Sequence, residues 1–235
     1  MSATRPTATD QVYRGIHAAV VERRLAPGEW LREEELAAGF SVSRTVVRQA
    51  LQRLAQDQVI ELHHNRGARV PSPGLVEAAH VFEARRVTEC EIARRLGGRL
   101  GTAQLDELRG LVDAESQART AGDHGAAARL SGEFHRALAR MHGNPVFERL
   151  LDGLLPTTSM LMARYTAQGG TVCVAHRHVE LIAALQEGPR AAAAEMRQHI
   201  DELQRSLVRG GASAERRLRD AFAAYRDDDG AEESA

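Results

Sequence analysis

Two groups of residues in this chain have the types and spacing to do chemistry. The first is histidine. His135 shares a helical stripe with Leu138, His178 with Leu181, Ile182 and Leu185, and His199 with Met196 and Leu203. Imidazoles on such stripes point into a helical interior rather than to water. Three that converge would suit a borderline divalent metal such as Zn(II) or Ni(II). A single inward histidine is more often a hydrogen-bonded core residue, so both outcomes stay open for these three.

The second group is the run from Val42 to Leu51. Val47, Ala50, Leu51 and Leu54 recur at helical spacing, which makes one face apolar. Thr45, Arg48, Gln49 and Gln52 recur on the opposite face with Arg44 beside them, and that face carries no carboxylate. Ser43 stands where its hydroxyl can cap the first turn. Such a helix suits a DNA major groove. Arginine bonds guanine or a phosphate bidentately, glutamine reads adenine, and the threonine methyl touches thymine. The bland alternative is a small helical subdomain with a solvated arginine face.

The surrounding elements must position these side chains. Upstream, Asp10 to Arg24 reads as a helix through Val12, Ile16, Ala19 and Val20, with Asp10 as its cap. Pro27-Gly28 is a turn. Glu33 to Ala38 reads as a second short helix ended by Gly39. Downstream, Val59 to Leu62 and Arg69-Val70 are strand-like, with His63-His64-Asn65-Arg66-Gly67 as the turn between them. Three helices and a two-stranded ribbon make a winged helix-turn-helix, whose ribbon tip can reach phosphates or the minor groove. After Pro71-Ser72-Pro73-Gly74, the 3.6-residue recurrence covers 75–96, 103–120, 123–141, 144–165, 172–186 and 189–208. A break follows at 209–214, then a last helix over 214–225. The fold class is mainly α: an N-terminal winged helix-turn-helix over residues 1–70, a linker at 71–74, and an antiparallel all-helical bundle over 75–226. An acidic tail, 227–235, is expected to be disordered.

Composition bounds the function. Of 235 residues, 27% are charged, yet the formal net charge is −1, which argues against a general polyanion binder. Residues 1–70 hold ten arginines against eight acids, so the basic excess sits in the reading head. The 31 basic residues are all arginine, which gives every cationic contact a planar fork. Two cysteines, Cys90 and Cys173, are too few for a disulfide framework. No apolar leader or long apolar run is visible, so a cytoplasmic protein with no membrane segment is expected.

The residues also resemble a family. Pro27-Gly28, Leu31, Glu33, Glu35-Leu36-Ala37, Val42-Ser43-Arg44-Thr45, Val47-Arg48, Ala50-Leu51, Leu54 and Arg66-Gly67-Ala68 are similar to the N-terminal domain of GntR-type transcriptional regulators. The resemblance implies that Arg44, Thr45 and Arg48, with Gln49 beside them, contact operator DNA, and that His64 and Asn65 sit at the wing tip. Val46 and Gln49 replace the usual proline and glutamate, and Glu34 stands where some relatives carry a phosphate-contacting arginine.

The C-terminal half resembles the helical FCD effector domain of the FadR-like branch, through Arg85 with Glu89, Phe134-His135, Asn144, His178 and His199. Metal-bearing members use three histidines and an aspartate four residues before the first, and this chain has Ser131 there. The resemblance implies an effector site at Ser131 and Arg85. An inward guanidinium at Arg85 could hold a carboxylate, or it could pair with Glu89 one turn on. The expected protein is a ligand-responsive regulator, most simply a repressor. It would bind double-stranded operator DNA as a homodimer and respond to a small carboxylate, with metal assistance. A metal-dependent enzyme using the three histidines and an effector-free architectural DNA-binding protein are the alternatives.

Overall fold

The computed structural model describes residues 6–63, 66–165 and 174–221. Helix α1 (Ala8–Val21) is capped by Thr7 rather than Asp10. The Thr7 hydroxyl accepts the Asp10 N–H at 3.1 Å, and the Asp10 carboxylate accepts the Thr7 N–H at 3.1 Å. Asp10 is thus the third residue of the helix and closes a reciprocal capping box, so the cap stands three residues earlier than expected. Helix α2 (Glu33–Phe40) runs through Gly39. It closes instead by the Val42 N–H on the Ala37 carbonyl at 3.0 Å and the Ser41 N–H on the Ala38 carbonyl at 3.2 Å. That Schellman closure puts the left-handed residue at Ser41, φ 54°.

Helix α3 (Arg44–Gln56) is capped by Ser43, whose hydroxyl accepts the Val46 N–H at 3.4 Å. It buries Val47, Ala50, Leu51 and Leu54, as its periodicity requires. Each large side chain of this row contributes roughly 1.5–3 kcal/mol by burial. The ribbon has three strands, not two: β1 (Trp30–Leu31), β2 (Glu61–His63) and β3 (Gly67–Arg69), antiparallel in the order β1-β3-β2. The additional strand pairs Trp30 with Arg69 and Leu31 with Ala68. A two-residue strand carries no periodicity of its own, because its only ladder partner is distant in sequence.

Among the described residues the rest of the chain forms helices: α4 (Leu75–Leu96), α5 (Thr102–Thr120), α6 (His124–His142), α7 (Pro145–Tyr165), α8 (Val174–Glu187) and α9 (Pro189–Ala221). Helix α9 continues across the expected break at 209–214. Gly210-Gly211 costs about 1 kcal/mol per residue against alanine, but it removes no backbone donor, so the helix can continue.

Buried apolar side chains form two clusters. One is built by α4–α9, and the other by α1, α3 and the sheet. Met160, 2% exposed on α7, belongs to the second cluster although its helix is part of the first. The residue beside it, Ser159, donates its hydroxyl to the Val21 carbonyl at 2.7 Å and accepts Arg23 Nε at 3.4 Å. Arg129 on α6 pairs with Glu22 at 3.1 Å. Arg164, in the last turn of α7, donates to the Ser72 carbonyl at 2.8 Å. The winged head is therefore seated on the bundle through α7, with a smaller contribution from α6.

Candidate functional site

The three histidines meet. Helix α6 supplies His135, α8 supplies His178 and α9 supplies His199, and all three are at most 2% exposed. His135 Nε2 lies 3.3 Å from His178 Nε2 and 3.2 Å from His199 Nε2. Phe134 stacks on the His178 ring with centroids 4.3 Å apart and so fixes its plane. Burial lowers the pKa of His178 despite the opposing pull of Glu115, and burial with the neighbouring rings lowers that of His199 further. Three buried imidazoles with convergent Nε2 atoms are the donor set a divalent metal needs, so the residues fit such an ion. Ser131 is half-buried one turn before His135 on α6.

Behind two of the rings stand carboxylates. His178 Nδ1 is 2.8 Å from Glu115 Oε2, and His135 Nδ1 is 2.5 Å from Glu89 Oε2, the latter an ion-pair contact rather than an aligned hydrogen bond. At His178 the carboxylate holds the proton on Nδ1 and leaves the Nε2 lone pair facing the centre. Both carboxylates are buried, and each is shared with a guanidinium. Arg85 donates Nε to Glu89 Oε1 at 2.6 Å, and Arg119 donates Nη2 to Glu115 Oε1 at 2.7 Å. Burial opposes the charge on Glu89, but Arg85 and His135 outweigh it and hold the pKa at about 2. His178 and Arg119 outweigh burial at Glu115 in the same sense.

Arg85 shows the second of its two sequence alternatives. It is 1% exposed, and its remaining nitrogens reach Glu89 Oε2 and Thr158 Oγ1, each at 3.4 Å. Glu115 is a residue the sequence reading did not single out. Its signal was present: Leu105, Leu108, Val112 and Glu115 fall on one buried row of α5, and a carboxylate on an apolar row demands a partner.

The exposed face of α3 also takes shape. Arg44, Thr45, Arg48 and Gln49 are all exposed. Gln49 accepts a hydrogen bond from the Thr9 hydroxyl at 3.2 Å, which ties it to α1. Arg44 and Arg48 are tied to α2, through Glu34 and Glu33. His64 and Asn65 lie outside the described residues. Beside them, His63 packs edge-on against Trp30 with centroids 5.0 Å apart.

Comparison with known proteins bears on both halves. Residues 8–70 match the model of bacterial regulatory proteins of the gntR family, and residues 80–202 match the FCD domain. The chain is a GntR-family regulator. It is 25% identical over 211 residues to the HTH-type transcriptional repressor RspR of Escherichia coli K12, which covers 88% of this chain and 91% of that protein. It is 26% identical over 223 residues to the repressor NanR of Citrobacter rodentium, covering 85% of each. A GntR transcriptional regulator from Rhodococcus sp. RHA1 has the same fold, with a TM-score of 0.75 at 22% identity over 85% of this chain and 97% of that one. Among the described residues, no helix of this GntR-family regulator is long and apolar enough to cross a membrane.

Proposed function

We propose that this chain is a transcriptional repressor whose hold on operator DNA is changed by a small carboxylate bound at the three-histidine centre. Residues 1–70 would bind DNA, residues 75–226 would hold the effector and dimerise, and 71–74 would link them. Arg44, Thr45, Arg48 and Gln49, with His64 and Asn65 at the wing, would face the operator. A homodimer follows from specificity, since one recognition helix reads too few base pairs to select a site.

The observation that carries the effector half is the meeting of three Nε2 atoms in a buried cluster of paired charges. Glu89 and Glu115 are matched by Arg85 and Arg119, so with unprotonated imidazoles the set sums to zero. His135, His178 and His199 would hold the ion, which supplies an open coordination position and a surplus of two positive charges. Ser131 adds no charge, so an anionic effector is the natural complement. Arg85 acts in this reading by holding Glu89, and beyond it by touching Thr158. A route to the head is at hand. Thr158 touches Arg85, while the next two residues of α7, Ser159 and Met160, engage the head.

The enzyme alternative is less well supported. Each buried carboxylate is committed to an Nδ1 atom and a guanidinium, on the ring side away from the convergent Nε2 atoms, so neither is placed as a general base.

The test uses a duplex selected by the protein from a randomised pool. Its affinity is titrated with and without Zn(II) and with a panel of small mono- and dicarboxylates. At least one carboxylate should shift operator affinity only when metal is present, and should be recovered unchanged. A response identical in a variant with all three histidines replaced by alanine, or turnover of the carboxylate, refutes the reading.

A further inference from the structure

The two arginines with the best claim to read DNA are not free. Arg48 Nε donates to both oxygens of Glu33, at 2.9 and 2.7 Å. Arg44 Nη2 donates to Glu34 Oε1 at 2.5 Å. Both glutamates belong to the first turn of α2, where the helix dipole favours a negative charge. They tie the first turn of α2 to the first two turns of α3.

The two contacts differ in kind. Glu33 grips Arg48 by Nε, at the inner edge of the guanidinium. Among the described residues, the Nη groups of Arg48 have no partner, and these form the end-on fork that a guanine O6/N7 pair would accept. The Glu33 side chain is 25% exposed and that of Arg48 is 63% exposed. The anchor is partly sheltered while the fork is in solvent. Glu34, by contrast, occupies Nη2 of Arg44, part of the fork itself, and both partners are mostly exposed at 71% and 59%. That bond is soft, and a phosphate oxygen competes for the same atom.

We infer that Glu33 and Glu34 set the specificity of this regulator, Glu33 by orienting Arg48 for a base edge and Glu34 by competing with DNA phosphate for Arg44. Glu33 is a positioning residue that raises specific affinity. Glu34 is a built-in rival that weakens the sequence-independent hold, because every encounter must displace a carboxylate before Arg44 can neutralise a phosphate. The inference rests on the DNA-binding reading of α3, and the two can fail separately.

The experiment measures affinity for the pool-selected duplex and for a scrambled duplex of equal length, across a salt series, for wild type, Glu33→Gln, Glu34→Gln, Arg48→Ala and Arg44→Ala. Circular dichroism confirms that each is folded. Glu33→Gln should weaken the selected duplex about fivefold, the loss expected when one exposed ion pair no longer fixes a side chain, and leave the scrambled duplex unchanged. Glu34→Gln should tighten the scrambled duplex and steepen the slope of log affinity against log salt by about one. It should do neither in the Arg44→Ala background, since the competition then has no object. If both arginine variants lose the selected duplex while both glutamine variants keep the wild-type ratio and slope, the inference is overturned and the DNA reading stands. If the arginine variants bind as wild type does, the DNA reading fails and takes the inference with it.

Discussion

Replacing Glu115 by glutamine should cripple metal binding while leaving the fold standing. Glu115 is fully buried, 2.8 Å from His178 Nδ1. Its carboxylate fixes the proton on Nδ1 and adds electron density to a ring whose other nitrogen faces the centre. Glutamine is isosteric and its amide oxygen can still accept from Nδ1, so the metal-free protein should lose no more than about 1–2 kcal/mol of stability. What disappears is charge. The carboxylate no longer offsets the Arg119 guanidinium, which lies 2.7 Å from it in the wild type, and that positive charge then opposes an incoming dication more strongly. Loss of an outer partner of a metal-bound histidine weakens binding about 10–100-fold. Both effects act together here, so we expect the upper end, about 2.7 kcal/mol. The assay is Zn(II) titration against a competing chelator on metal-stripped protein, with His178→Ala as reference and a thermal melt as the fold check. Zinc affinity within threefold of wild type in folded Glu115→Gln, or in His178→Ala, refutes the argument that the buried carboxylate organises a metal centre.

Arg48→Ala should cost about 1–3 kcal/mol of operator affinity and leave thermal stability nearly unchanged, because Arg48 lies opposite the apolar row; competition gel shifts against scrambled DNA would show an unchanged specific affinity if this is wrong. Met160→Ala should cost about 2–5 kcal/mol in urea unfolding and reduce the effect of metal and carboxylate on operator affinity, since it empties the one side chain that α7 lends to the head's core. A full response in the folded variant would remove α7 from the route. Stability should also fall in mild acid. Burial, and then Arg136, lowers the pKa of His17 from 6.5 to about 4. The unfolded chain therefore takes up the proton first, and up to about 3 kcal/mol present above pH 6.5 is lost between there and pH 4. In chemical unfolding across that range His17→Gln should flatten the dependence, and an unchanged profile would clear His17.

Much of this architecture was readable because it rests on short-range rules. The row Val47, Ala50, Leu51, Leu54 and the cap at Ser43 follow from local spacing, and the structure has both. The three histidines were placed inward by their apolar neighbours, and they are buried. What escaped depends on partners remote in sequence. Trp30-Leu31 is a strand only because β3 arrives beside it. Glu115 meets His178 across 63 positions, and no spacing rule spans that gap. Arg85 was ambiguous because a guanidinium facing inward needs an anion, and periodicity does not say which one; Glu89 filled the role. Glu33 and Glu34 open α2, and their pairing with Arg48 and Arg44 depends on how α3 folds back beside them.

The seating of the head on α7 bears on how such regulators can be recombined. A single chain crossing at Pro71–Gly74 invites cutting there to graft this head onto another sensor. The physical seam is elsewhere. At the end of α1 the Val21 carbonyl and Arg23 both meet Ser159 and Glu22 meets Arg129, while Met160 packs among the apolar side chains of α1, α3 and the sheet. A chimera joined at the linker alone would carry half of each contact, with an orphaned carbonyl and a hole where Met160 had been. A working graft has to transplant that patch of α7 and α6 along with the head, so the exchangeable unit is discontinuous in sequence.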